Sequence, residues 1–438
     1  MAAMGPAAQT MWEVVEEHLA RAGSAWLHWA RAMIAANHTV AEVAGVWEER
    51  LIANLDGLAV AGEETVERLL RPALGTDDID RIAAASLALL ASPGGLKAMV
   101  AALQVAAPEA RGAMARALGL ARGAGLEDGL EALLEESEPA MQAVALDALA
   151  IRGRVPGSLC RLVGSPDPAV KAAALRTARH AGLAYRATIE AATQAPAPEV
   201  RDAALEAGIS LGLRAPWLAS RKLAEARSPG CGTALSILAM SGEAGDLERI
   251  EAALAVPELR GAALWALGFS GWPRAVELCL PYLGDGQHAR VAGEAISAIT
   301  GLAIEKHLVR AEETLPEEPI PFEEEDLEAD LVPGPEAALP LPEPWEVESW
   351  WQGERGRFQP AVRYLGGEAV SPSVLLAALG NGPMRRRAPI ALELAARSHG
   401  EYWVETRTWA REQMAAMAGL RLEARSGFCG GFGRRLQG

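Results

Sequence analysis

The sequence predicts an all-α solenoid of about eight to nine stacked two-helix repeats, with helical N- and C-terminal caps and one acidic, proline-rich insertion. Two observations carry this. A phrase recurs at even intervals: Pro108-Glu-Ala-Arg111-Gly-Ala-Met-Ala returns as Pro168-Ala-Val-Lys171, as Pro198-Glu-Val-Arg201 and as Pro257-Glu-Leu-Arg260. Weaker copies begin at Asp78, Pro139, Pro229 and Gln287, so the starts lie 28 to 31 residues apart. Second, half of the 438 residues are apolar but only 5% are aromatic, as expected of small side chains that let helices approach closely. A two-helix unit cannot bury its apolar face alone, so units with this period must stack.

In chain order, residues 1–74 read as an N-terminal helical cap with helices from Trp12 to Ala22, through Trp26 to Ala36, and from Val40 to Leu55. Trp12, Trp26, Trp29 and Trp47 suit a cap, because bulky aromatics cover an otherwise open end. His18, His28 and His38 are ten residues apart, which gives them no common helical face, so they read as ordinary helix residues and not as metal ligands.

Residues 75–304 form the repeat array. Each proline fits the first turn of a helix, where its missing N–H would lack a partner anyway. Apolar residues then recur at helical spacing, as at Ala203, Ala204, Ala207 and Leu211, and Gly119, Gly182, Gly212 and Gly268 are expected to end the helices. The preceding half of each unit has its own apolar run, such as Leu130, Leu133 and Leu134.

Three residues after the starts stand Arg81, Arg111, Gln142, Lys171, Arg201, Gly232, Arg260 and Arg290, a mostly basic ladder. It is expected mainly to brace neighbouring units; a stripe for an acidic partner is the alternative.

Residues 305–345 are an acidic, proline-rich linker or insertion. From Ala311 to Gly353 there are fourteen acids, eight prolines and no Lys or Arg. This composition favours a solvated linker; a docking strip for a basic surface is the sharper reading of residues 311–343. Residues 346–425 are a Trp- and Arg-rich helical region, and residues 426–438 a flexible Gly-rich tail in which Phe428 and Phe432 could dock. Arg386 falls three after Pro383, at the ladder position of one more repeat helix. Trp350, Trp351, Arg385 and Arg387 are the expected partner-binding residues.

A net charge of −16 disfavours broad nucleic-acid binding. No residue run suits a membrane span, and no apolar leader opens the chain. Four cysteines without a C-x-x-C pair suggest neither disulfides nor a zinc ribbon. Cys160, Cys231 and Cys279 read as small buried residues, and Cys429 as the exposed one. No phosphate-loop, dinucleotide, zinc-protease or nucleophile-elbow motif is present, so no catalytic, cofactor or metal residues are assigned.

Three phrases go further: Arg50 with Leu55-Asp56-Gly57-Leu58; Pro344-Trp345 with Ser349-Trp350-Trp351 and Arg357-Phe358; and Arg363-Tyr364-Leu365-Gly366 with Arg386-Arg387-Ala388 and Ala391-Leu392-Glu393-Leu394-Ala395. Over nearly the whole chain the sequence resembles a bacterial family of HEAT-repeat proteins without established activity, associated with type VI secretion gene neighbourhoods. The resemblance implies a HEAT-like fold, a cytoplasmic location and an accessory, adaptor or immunity-type role, with no catalytic residues to carry over. The function expected is therefore non-enzymatic: a protein-binding scaffold or adaptor whose partner is another protein, such as a secretion-system component or effector, without nucleic acid or membrane insertion. The alternatives are a HEAT-fold lyase or DNA glycosylase, or an immunity protein regulated by its acidic segment.

Overall fold

The computed structural model describes residues 10–123, 125–136, 138–310, 336–420 and 428–437. The chain is all-α apart from one two-residue hairpin and two isolated bridges among the described residues. It forms two compact units. One comprises Met1–Leu211, Leu379–Ala391 and Gly400–Arg421; the other comprises Gly212–Ala378, Leu392–His399 and Leu422–Gly438. The C-terminal region 346–425 is thus divided between the units and does not stand apart.

In the first unit, the second helices of successive repeats are Ile79–Leu90, Pro108–Leu120, Pro139–Ile151, Pro168–Ala178 and Pro198–Ser210, each packed on the next. Their starts match the repeat phrase, with proline in the first turn of the last four. Leucine seven residues after the proline is fully buried at Leu146, Leu175 and Leu205. Each such burial contributes about 1.5–3 kcal/mol. The shorter first helices, Gly95–Val105, Leu126–Glu136, Leu159–Leu162 and Arg186–Ala192, pack against their own second helices.

Two expectations are corrected here. The N-terminal cap opens with one helix, Trp12–Ala32, where a break near Gly23 was expected. Gly23 is buried against the next helix: a Cβ there would stand 3.3 Å from Arg81 Cα, so the glycine serves close approach and not termination. Likewise Gly119 and Gly268 lie inside their helices. A Cβ would meet Ile151 Cδ1 at 2.6 Å and Ala295 Cα at 3.0 Å respectively. Gly182 and Gly212 do take left-handed backbone, with φ of 60° and 72°.

The second unit contains Arg214–Glu225, Gly232–Ala239, Ala244–Leu254, Pro257–Ser270, Pro273–Cys279 and Ala289–Thr300. The weak copy at Pro229 gives a helix starting at Gly232. After the array, Arg310 N donates to Leu341 O at 2.9 Å and Glu343 N to Leu308 O at 2.8 Å. The two ends of the acidic insertion are therefore paired at its base. Residues 311–335, the greater part of the 305–345 linker and 311–343 docking-strip readings, lie outside the described residues, while Leu339 in the remainder is buried.

The sequence pattern missed the hairpin Tyr364–Leu365/Glu368–Ala369. Gly366 and Gly367, at φ 60° and 84°, form its two-residue turn, and positive φ at both positions is what a tight hairpin demands. The turn seats on a helix end: Gly366 N donates to Ala298 O and Gly367 N to Ile299 O.

The tail is corrected from flexible to docked. Phe428 and Phe432 are buried, and Gln437 exchanges backbone hydrogen bonds with Gly212 and Arg214. Cys160 is exposed, contrary to expectation, while Cys231 and Cys279 are buried. Cys429 is exposed and its Sγ donates to Val370 O. No described helix is long and apolar enough to cross a membrane.

Candidate functional site

The last four or so carbonyls of any helix lack partners within it, and the helix end carries partial negative charge. In each unit, C-terminal residues meet this demand. In the first unit Trp409 Nε1 donates to Leu120 O at 2.8 Å, and Arg122 donates to Leu120 O and Ala121 O while holding Glu412. In the second unit Arg363 donates to Ser270 O, Phe269 O and Met240 O, and Arg397 to Met240 O, Phe428 O and Gly430 O. Between the two guanidiniums sits Glu393, accepting from Arg363 Nη1 at 2.7 Å and Arg397 Nε at 2.7 Å. Burial alone would raise the Glu393 pKa; the two arginines outweigh it and hold the carboxyl below its ordinary value.

These contacts reassign the expected partner-binding residues. Trp351 and Arg387 are buried, Arg387 donating to Gln413 Oε1 at 2.8 Å, so both are corrected from contact surface to internal support. Trp350 and Arg385 are half-buried, and Arg385 N donates to Ala35 O. Trp345 is the exposed tryptophan of this region, at 71%.

Three members of the ladder bond carbonyls within their own repeat. Arg111 donates to Ala106 O, Gln142 to Leu134 O and Arg260 to Leu254 O, each at the end of the helix or turn just before its own. Arg201 pairs with Asp202 beside it, and Arg290 donates to Leu339 O. Arg81 and Lys171 are half-buried, and Arg386 closes the short turn Met384–Arg386.

A different repeat position faces solvent. Eight residues after the prolines 108, 139, 168 and 198 stand Arg116, Asp147, Arg176 and Glu206, so successive second helices of the first unit carry alternating charge. The equivalent positions of the second unit, Ile237, Trp265 and Ala295, are uncharged. Because these helices pack side by side, the four side chains form one stripe. Asp147 and Arg176 make a bidentate pair at 2.7 and 2.9 Å. The stripe could have been found in the sequence by tabulating every repeat position and not only the one three residues past each start.

One end of the stripe meets the Gly400–Arg421 segment. Arg179 is stacked over Trp403 at 3.9 Å and bound to Glu405, which also takes two side-chain bonds from Arg407 at 2.9 and 3.1 Å. Burial would raise the Glu405 pKa, but Arg407 and Arg179 override it and hold it at about 2. His180 accepts from Arg179 Nε at 3.2 Å; burial and then Arg179 push its pKa down to about 4, so it is neutral at pH 7. Glu206 is exposed, and the protein packed around it raises its pKa against the pull of Arg179 and Arg407.

At the other end, Arg116 is open to solvent and lies over Trp29 at 5.1 Å and Trp26 at 6.0 Å. Trp29 is fixed from behind: its Nε1 donates to the buried carboxylate of Glu48, which Arg411 and the Ala410 backbone N–H also hold. Among the described residues no three His, Cys, Asp or Glu side chains converge as a metal site.

No family model matches the chain, and no curated protein matches it. Among solved structures it is similar to an engineered protein at 19% identity and TM-score 0.29, over 64% of this chain and 87% of that one. It is also similar to human deoxyhypusine hydroxylase at 16% identity and TM-score 0.25, over 65% of this chain and 96% of that one. Likeness this low carries no argument about activity.

Proposed function

We propose that the chain is a non-enzymatic protein-binding solenoid, a scaffold or adaptor that grips a segment of another protein along the charged stripe of its first unit. The observation that carries this is the alternation Arg116, Asp147, Arg176, Glu206 on successive helices, with Arg116 and Glu206 open to solvent at its two ends. A row of opposite charges at helix spacing selects a partner by register, because a mis-set partner meets like charge. The resemblance noted from sequence adds a cytoplasmic setting and a partner that is a bacterial secretion-system component or effector.

The test is quantitative affinity purification from cells that natively express the protein. The wild type is compared with an Arg116→Glu/Glu206→Lys double variant and with Glu13→Lys, a change on the exposed side of the first helix. The reading expects one protein recovered in fixed ratio by the wild type and by Glu13→Lys, and lost from the double variant. Equal recovery by all three contradicts it.

A further inference from the structure

The stripe is not electrically even at its Arg116 end. Two guanidiniums, Arg179 and Arg407, already share one carboxylate, Glu405. Among the described residues no carboxylate pairs with Arg116. Its contacts are the faces of Trp26 and Trp29, and Arg407 stands near enough to act on it as a like charge. The protein packed around Arg116, and then Arg407, lower its pKa.

Stacking on indole holds a guanidinium in a fixed plane and leaves its N–H edge free. That edge is the fork that accepts a carboxylate through two parallel hydrogen bonds. The Trp29 ring cannot swing away, since Glu48 holds its N–H and Trp409 packs on it with ring centroids 5.1 Å apart. The N-terminal helix, the second helix of a repeat and the Gly400–Arg421 segment therefore converge on one pre-set anion acceptor that no described residue of its own unit fills.

We infer that Arg116, stacked on Trp29 beside Arg407, is a receiving site for a carboxylate side chain of an acidic segment in the partner protein. This rests on the protein-binding reading above and specifies its chemistry. Protein carboxylate is favoured over nucleic-acid phosphate because the chain carries a net charge of −16, which opposes the extended polyanion while leaving a single local contact possible.

The test uses the full chain and two fluorescein-labelled peptides of equal length, one of eight glutamates and one of eight lysines, followed by anisotropy at 150 mM salt. The inference expects saturable binding of the glutamate peptide only. Binding should weaken about tenfold or more in Arg116→Gln, which loses the charged fork, and less in Arg116→Lys. Arg71→Ala, on an exposed residue of the same unit, should leave it unchanged. Circular dichroism confirms that each variant is folded. Equal binding by Arg116→Gln and wild type overturns the inference, as does full displacement of the peptide by inorganic phosphate or by a short DNA duplex at equal charge concentration. If purification yields a partner that depends on the stripe while the glutamate peptide fails to bind, the carboxylate assignment falls and the protein-binding reading stands.

Discussion

Glu393 offers the sharpest energetic test. Its carboxylate accepts three charge-assisted hydrogen bonds, at 2.7 and 3.2 Å from Arg363 and 2.7 Å from Arg397, and all three side chains are buried. Glu393→Gln keeps the shape, removes the charge and turns one acceptor into a donor facing a guanidinium. Both arginines keep their carbonyl acceptors, so they are not stripped of hydrogen bonds, but two positive charges are left together out of water. Breaking a buried ion pair on one side costs about 3–5 kcal/mol. With a urea m-value of about 3 kcal/mol/M, the transition of the second unit should move down by about 1 to 1.7 M. Asp147→Asn, which breaks a pair that is a quarter to a third exposed on each side, should cost under about 1 kcal/mol. Urea melts followed by circular dichroism measure both. A Glu393→Gln loss below about 1 kcal/mol would refute the claim that this triad holds the second unit together.

Acid should weaken the first unit in two windows. His180, held near 4, excludes a proton that the unfolded chain binds near 6.5, so stability falls as pH drops from 6.5 to 4; Glu405, held near 2, gives stability that is present above its ordinary value near 4.5 and is lost as pH falls towards 2. Each swing is about 3 kcal/mol, and His180→Gln should flatten the upper window in thermal melts; an unchanged slope would contradict this. Gly301→Ala forces left-handed backbone on a side chain whose Cβ would stand 2.6 Å from Gly366 O. It should cost about 2 kcal/mol or more, against nearly nothing for Gly284→Ala, where the space is open. Glu206→Gln should raise the melting temperature at pH 7, because the raised pKa means that ionised Glu206 opposes folding above its ordinary value; at pH 4 the gain should vanish.

The repeat array was legible because every unit solves the same local problem. Proline at the first helical turn recurs, with leucine seven residues on in four of the five such helices, and these helices begin at Pro108, Pro139, Pro168, Pro198 and Pro257 as the phrase indicates. The C-terminal half of the story was not legible. Arg363, Arg397 and Trp409 act on backbone carbonyls, which carry no side-chain pattern, and they do so across separations of 93 to 289 residues. Trp351 and Arg387 looked like contact residues because large and charged side chains usually lie at surfaces, yet they plug interior gaps. The Gly-rich tail read as loose on composition, although Phe428 and Phe432 anchor it. Glycines misled in both directions, since Gly119 and Gly268 mark close helix contact while Gly366 and Gly367 mark a turn.

The most direct test of partner binding along the charged stripe is site-specific photo-crosslinking. Gly112 lies one helical turn before Arg116 on the same exposed face, with nothing within 4 Å of an added Cβ. A benzoyl-phenylalanine there should capture the partner protein in cells, whereas the same group at Gly284, equally open but in the other unit, should not. Capture from position 284 with none from 112 would contradict the account.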